Sequence, residues 1–150
     1  MNLLDVFSNR ILIPALAAWA LAQVIKLPLE YVRIRRWNWQ IVFSVGGMPS
    51  SHSALVVGAC WSIGLQEGFS STAFALGVVL SMVVLYDAAG IRRQAGRHAE
   101  IINVIISELA AGHPLKEAQL REVLGHTPLQ VFAGTIQGIV IAELFWLFWR

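Results

Sequence analysis

Two short stretches hold most of the groups that could do chemistry: "GGMPSSHSA" at residues 46–54 and "LGHTPLQVFAG" at residues 124–134. Each sets a histidine, His52 or His126, among small polar residues directly in front of an apolar run. Thr127 followed by Pro128 reads as a helix N-cap with proline in the first helical position. Ser50 or Ser51 would cap the other helix. A helix start presents unpaired backbone N–H groups and the positive end of the helix dipole, so both places are potential anion sites. Small residues around His52 let backbone amides come close to an oxyanion, which bulky side chains would prevent. No Cys/His cluster has zinc-ligand spacing and no glycine-rich nucleotide loop is present, so neither a metal nor a cofactor is expected.

The elements that must position these groups belong to a membrane protein. Of 150 residues, 57% are hydrophobic and only 13% are charged, against roughly 25% charged in ordinary soluble domains. The length suits a single domain over 1–150. A net charge of +2, with no basic stripe interleaved with aromatics, gives no reason to expect a nucleic-acid partner. Cys60 is the sole cysteine, which excludes an internal disulfide.

Four apolar segments stand out, at about Ile11–Ile25, Ser53–Leu65, Thr72–Tyr86 and Pro128–Trp149. A bilayer core takes about 20 helical residues. The fourth segment meets that length. The other three must borrow flanking residues or pack inside an assembly, and "IVFSVGGMP" before the second is expected to dip into the membrane as non-helical chain. The first run could pass for a secretory signal, but its basic flank is reduced to Arg10 and an uncleaved helix is expected. From Ile91 to Leu109, helical spacing puts Ile91, Ala95, His98, Ile102, Ile105 and Leu109 on one face of an amphipathic helix, at the membrane surface or against the bundle. "LKEAQLREVL" predicts a further short helix ending at Gly125. The expected fold is therefore an all-α integral membrane bundle with about four membrane segments plus one or two amphipathic or interfacial helices.

Lys26, Arg33, Arg35 and Arg36 fall between segments one and two, and Arg92, Arg93, Arg97, Lys116 and Arg121 between three and four, whereas "QEGFSS" between two and three has none. The positive-inside tendency then puts both basic loops, with the two histidines, in the cytoplasm. Gly134 and Gly138 form a small-xxx-small pair that would serve helix packing within the chain or in a homodimer.

"MPSSHSA" together with "LGHTPLQVFAG", and "YDAAGIRRQAG" between them, resembles the divergent branch of the type 2 phosphatidic acid phosphatase family, also described as acid phosphatase/vanadium-dependent haloperoxidase-related proteins. The likeness runs from about Lys26 to Gly138. It implies a membrane-embedded phosphatase-like domain that hydrolyses a lipid phosphate or polyprenyl pyrophosphate through a phosphohistidine, without metal. Three family motifs are carried over. In the first, Lys, six residues, then Arg-Pro, both cations bind phosphate. Lys26 and Arg33 have that spacing, with Ile34 in place of the proline. In the second, Pro-Ser-Gly-His, the serine and a backbone amide hold phosphate and the histidine protonates the leaving alkoxide. Pro49, Ser50 and His52 match, with Ser51 in the glycine place, and a neutral-range imidazole suits a general acid.

The third motif is Arg, five residues, a nucleophilic His, three residues, then an orienting Asp. Two fits exist. Arg92 and His98 have the first spacing, but Ile102 stands where the carboxylate belongs. Alternatively His126 is the nucleophile, with Gln130 four residues on as the orienting group and Arg92 or Arg93 as the cation. His126 is the preferred nucleophile because it shares a membrane face with His52, and His98, on an apolar helix face, reads as a core histidine. Glutamine lacks the charge that stabilises an imidazolium, so Asp87 or Glu100 is a further candidate for the carboxylate. Glu143 is left outside the site, close to the interface. The alternative is a catalytically weak or inactive phospholipid-binding or transport protein that uses the same anion site; a purely structural bundle is a third reading.

Overall fold

The computed structural model describes residues 3–37, 39, 46–110 and 126–149, apart from the side chains of residues 3, 33, 91–95, 97, 100, 108 and 110. Among the described residues, a 3₁₀ turn at Leu3–Ser8 is followed by five helices: α1 (Leu12–Ile34), α2 (Ser51–Glu67), α3 (Thr72–Ala89), α4 (Ile91–Ala110) and α5 (Pro128–Phe148). There is no strand among the described residues. The chain is an all-α membrane bundle. Among the described residues, three helices are long and apolar enough to cross a bilayer, over Leu12–Val32, Thr72–Ala89 and Pro128–Phe148. At 17 residues α2 is shorter, about 25 Å at 1.5 Å per residue against a hydrocarbon core of about 30 Å.

That shortness has a packing reason. α2 lies between α1, α3 and α5, and its buried residues are Ser51, Ser53, Ala54, Val57, Gly58, Cys60, Ser62 and Gly64. A helix walled by protein needs small residues for close approach more than it needs lipid-compatible bulk. The bundle interior is correspondingly rich in alanine, with Ala15, Ala18, Ala22, Ala54, Ala88 and Ala142 beside Val57, Cys60 and Val131. Bulky side chains face outward. On α3 only Ser81 and Ala88 are buried, while Leu76, Val79, Leu80, Met82, Val83 and Tyr86 are exposed.

Close approach between α2 and α5 depends on glycine. A Cβ on Gly134 would overlap the Ser50 carbonyl oxygen, and one on Gly138 would lie 2.7 Å from the Ala54 oxygen and 2.9 Å from the Gly58 nitrogen. The small-xxx-small pair is therefore used within the chain. Its rising register, Gly134 at Ser50 and Gly138 at Ala54, makes α2 and α5 parallel. By contrast α3 runs back along α2, with Ser81 Oγ donating to the Val56 carbonyl at 3.4 Å and Gly77 seated on Cys60.

α1 runs past its predicted end near Ile25. Pro28 sits inside the helix, and the chain stays helical to Ile34, where Arg35 takes a left-handed conformation (φ 56°) and its N–H bonds the Tyr31 carbonyl at 2.8 Å. A proline costs one backbone bond, and apolar residues beyond it continue the helix into the membrane boundary. Lys26 and Arg33, expected in a loop, thus belong to α1. Aromatic groups gather at both bundle ends: Tyr31, Trp37 and Trp39 stack beside the end of α1, and Trp61, Phe69 and Phe74 meet edge to face at the other end. Such belts suit the two interfaces of a bilayer.

α4 follows α3 after the single residue Gly90 and packs on it. Its apolar residues Ile101, Ile102, Val104, Ile105 and Leu109 are exposed rather than packed on the bundle. The non-helical stretch expected before α2 is present at residues 46–50, while Ile41–Val45 lie outside the described residues. The short helix expected over "LKEAQLREVL" also lies outside them.

Candidate functional site

The starts of α2 and α5 are tied to each other before any chemistry is considered. Gly47 turns the chain with φ 92°, a conformation that favours glycine, and leads into the α2 cap. Ser50 Oγ accepts the Ser53 N–H at 3.4 Å and the Ser53 hydroxyl at 2.9 Å. The Ser50 N–H in turn donates to the Gln130 carbonyl in the first turn of α5, at 3.0 Å. Thr127 caps α5: its hydroxyl accepts the Gln130 N–H at 3.4 Å, and its own N–H donates to Gln130 Oε1 at 2.9 Å. This is a reciprocal capping box preceding a proline.

These bonds hold the two histidines. His52 is in the first turn of α2 and His126 directly precedes the Thr127 cap. Their ring centroids are 6.1 Å apart at an interplanar angle of 83°. His126 is only 1% exposed, and His52 is half-buried. Both line a cavity of about 270 Å³ whose remaining wall is Val83, Val84, Asp87 and Ala88 from the end of α3. At about 30 Å³ per water in the liquid, that volume holds an oxyanion and part of the group bearing it. Among the described residues that line it, the wall is apolar apart from the two imidazoles and one carboxylate.

Lys26 reaches the same end of the bundle. Ala18 touches the Cβ position of Gly58 and Ala22 shares a core cluster with Ala54, an antiparallel run that brings Lys26, one turn further on, level with Ser50. The lysine is 1% exposed, and its Nζ donates to Gln23 Oε1 at 2.6 Å. A buried cation inside a membrane helix is a costly placement unless an anion or polar groups compensate it.

The other expected residues divide. Ser50 and Ser51 are buried, and the Ser50 hydroxyl is engaged as a cap. Arg33 occupies the last turn of α1, and Arg92 and Arg93 the first turn of α4, directly after the Asp87 end of α3; their side chains, and that of Glu100, lie outside the described residues. His98 is exposed on α4 and does not line the cavity. It is not a core histidine, because the helix face that carries it is uncovered by protein. Gln130 places its amide oxygen on the Thr127 N–H rather than reserving it for an imidazole. The signal for that was present in the sequence as Thr-x-x-Gln, the capping-box spacing. Glu143 also has a definite partner: its Oε1 accepts the Trp61 indole N–H at 2.8 Å, at the end of the bundle away from the histidines. Among the described residues, no group of three or more His, Cys, Asp or Glu side chains could hold a metal ion.

Comparison with known proteins agrees with the membrane architecture. The model of the divergent PAP2 family matches residues 7–141. A relative from Bacillus subtilis (strain 168), the uncharacterized membrane protein YuiD, is 36% identical over 149 residues, covering 92% of this chain and 94% of the relative. No solved structure matches.

Proposed function

The chain belongs to the divergent PAP2 family, and from that premise we propose that it is a metal-independent lipid phosphate or pyrophosphate phosphatase working through a phosphohistidine. The observation that carries this reading is the pair of imidazoles, His52 and His126, with ring centroids 6.1 Å apart and both lining one cavity at two tied helix starts. A ring nitrogen of His126 attacks phosphorus, forming a P–N bond as the P–O bond to the lipid breaks. His52 gives its proton to the departing oxygen. Water then attacks the phosphohistidine, with His52 now taking a proton, and inorganic phosphate leaves with both imidazoles restored. Lys26, Arg33, Arg92 and Arg93 offset the charge on the non-bridging oxygens, and the amides at the α2 start with Ser50 and Ser51 frame them.

A lipid substrate is favoured by the Val83, Val84 and Ala88 wall, and by the position of the cavity in a membrane bundle. The cytoplasmic face is favoured by the basic residues that cluster at the same end. The test is phosphate release by purified protein from phosphatidic acid or a polyprenyl pyrophosphate in detergent. His126→Ala is expected to abolish release and the acid-labile phosphoenzyme, and His52→Ala to slow turnover by about 10²–10⁴. A second reading, phospholipid binding or transport without turnover, draws on Gln130, which is uncharged and engaged in a cap. Saturable binding of phosphatidic acid with no release by the wild type would select that reading.

A further inference from the structure

We propose that Asp87 is the positioning carboxylate for His126, supplied from α3 rather than from the helix that carries the nucleophile. This rests on the phosphatase reading above. A phosphohistidine reaction builds positive charge on the attacking ring, so a carboxylate beside it fixes the tautomer and offsets that charge. Neither histidine-bearing candidate helix has one at the expected spacing. Four residues after His126 stands Gln130, with its amide oxygen on the Thr127 N–H, and four after His98 stands Ile102, exposed on α4. Glu143 is held by Trp61 at the far end of the bundle. Asp87 lines the cavity that His126 lines.

Its placement is built into the fold. The α2–α3 register, with Ser81 on the Val56 carbonyl and Gly77 on Cys60, brings Asp87 level with Ser50, whose N–H is bonded to the first turn of α5. Ala88, 4% exposed, packs that last turn of α3 against the bundle. The carboxylate comes to the site from a third helix. In the reaction the ring proton on the Asp87 side stays on the imidazole and the P–N bond forms at the other nitrogen. Other titratable or charged groups at this end are His52 on α2 and Lys26 and Glu30 on α1, with Arg33, Arg35 and Arg36 at the end of α1 and Arg92 and Arg93 at the start of α4.

The experiment compares wild type, Asp87→Asn, Asp87→Glu and His126→Ala, each as the full chain in detergent with phosphatidic acid as the probe. Asp87→Asn is expected to lower kcat by about 10²–10⁴ with little change in KM, the pattern of an interaction made in the transition state. Asp87→Glu should recover part of the loss. Removing the negative neighbour disfavours the imidazolium, so the acidic limb of the kcat profile, where a protonated nucleophile stops the reaction, should move to lower pH. If the alkaline limb moves instead, Asp87 serves the general acid His52 and the inference is overturned. Unchanged kcat and pH profile in Asp87→Asn, with His126→Ala inactive, overturns the inference and leaves the phosphatase reading standing. Wild-type turnover in His126→Ala removes that reading itself. Should Asp87→Asn fail to fold by circular dichroism and gel filtration, Asp87→Ser takes its place: reduced kcat with the acidic limb moved to lower pH at a wild-type melting temperature supports the role, and full wild-type kinetics oppose it.

Discussion

Gln130 stands four residues after His126, where an imidazole-orienting carboxylate would be wanted, yet its amide oxygen accepts the Thr127 N–H at 2.9 Å. Holding a helix start and orienting a nucleophile make different demands, and single substitutions separate them. Gln130→Ala removes half of the capping box and is expected to cost about 1 kcal/mol, read as a lower melting temperature, with phosphate release changed less than tenfold. Gln130→Glu keeps the acceptor and adds a negative charge at a helix N-terminus, worth about 0.3–1 kcal/mol, so its melting temperature should match or exceed wild type. A fall in turnover of about 10⁴ in Gln130→Ala, at unchanged stability, would return the orienting role to this residue. The two histidines were legible in the sequence because caps and helix starts are local patterns. Asp87 was legible as one of two candidate carboxylates, with Glu100: its place on the cavity that His126 lines requires three helices to assemble, and no local spacing encodes that. His98 misled for the same reason, since its apolar face says what the residue can touch but not whether protein covers it.

At the scale of elements the seam between α2 and α5 positions the site, and it has no room to spare at Gly134. A methyl there meets the Ser50 backbone oxygen, which cannot rotate away, whereas at Gly58 the nearest atom is the Ala18 Cβ at 3.4 Å. Alanine gains about 1 kcal/mol over glycine in a helix interior, and forced overpacking costs about 1–3 kcal/mol. Gly58→Ala is therefore expected to be close to neutral. Gly134→Ala should lower the melting temperature in detergent and, by separating the two helix starts, lower phosphate release as well. Equal effects at the two sites would mean that this seam does not hold the histidines together. The apolar segments themselves were legible, because long hydrophobic runs have few other outcomes. The extension of α1 through Pro28 was not, since a proline reads as a stop unless the packing around it is known. Nor was the inward direction of the Gly134–Gly138 face: the same small residues would have served a homodimer, and only the parallel register with α2 assigns them to the chain's own interior.

The whole molecule is electrically lopsided along the helix axes. The end that carries His52 and His126 also carries Lys26, Arg33, Arg35 and Arg36 on and after α1 and Arg92 and Arg93 at the start of α4, while the opposite link, Gln66–Ser71, contains Glu67 and no basic residue. We propose, on the positive-inside tendency, that the histidine end lies in the cytoplasm; the orientation decides on which side phosphate would be released. Cys60 makes the question accessible, because it is the sole cysteine and is buried in α2. In a Cys60→Ala background, Arg36→Cys and Ser70→Cys place single thiols at exposed positions on the two ends. A membrane-impermeant maleimide added to intact cells should label the Ser70→Cys protein and leave the Arg36→Cys protein unlabelled until the membrane is permeabilised. The reverse pattern would turn the molecule over and move the proposed hydrolysis to the other leaflet. It would leave the geometry of the two imidazoles unchanged, because charge sets the direction in which the bundle inserts, while the glycine seam and the tied helix starts set the distance between the rings.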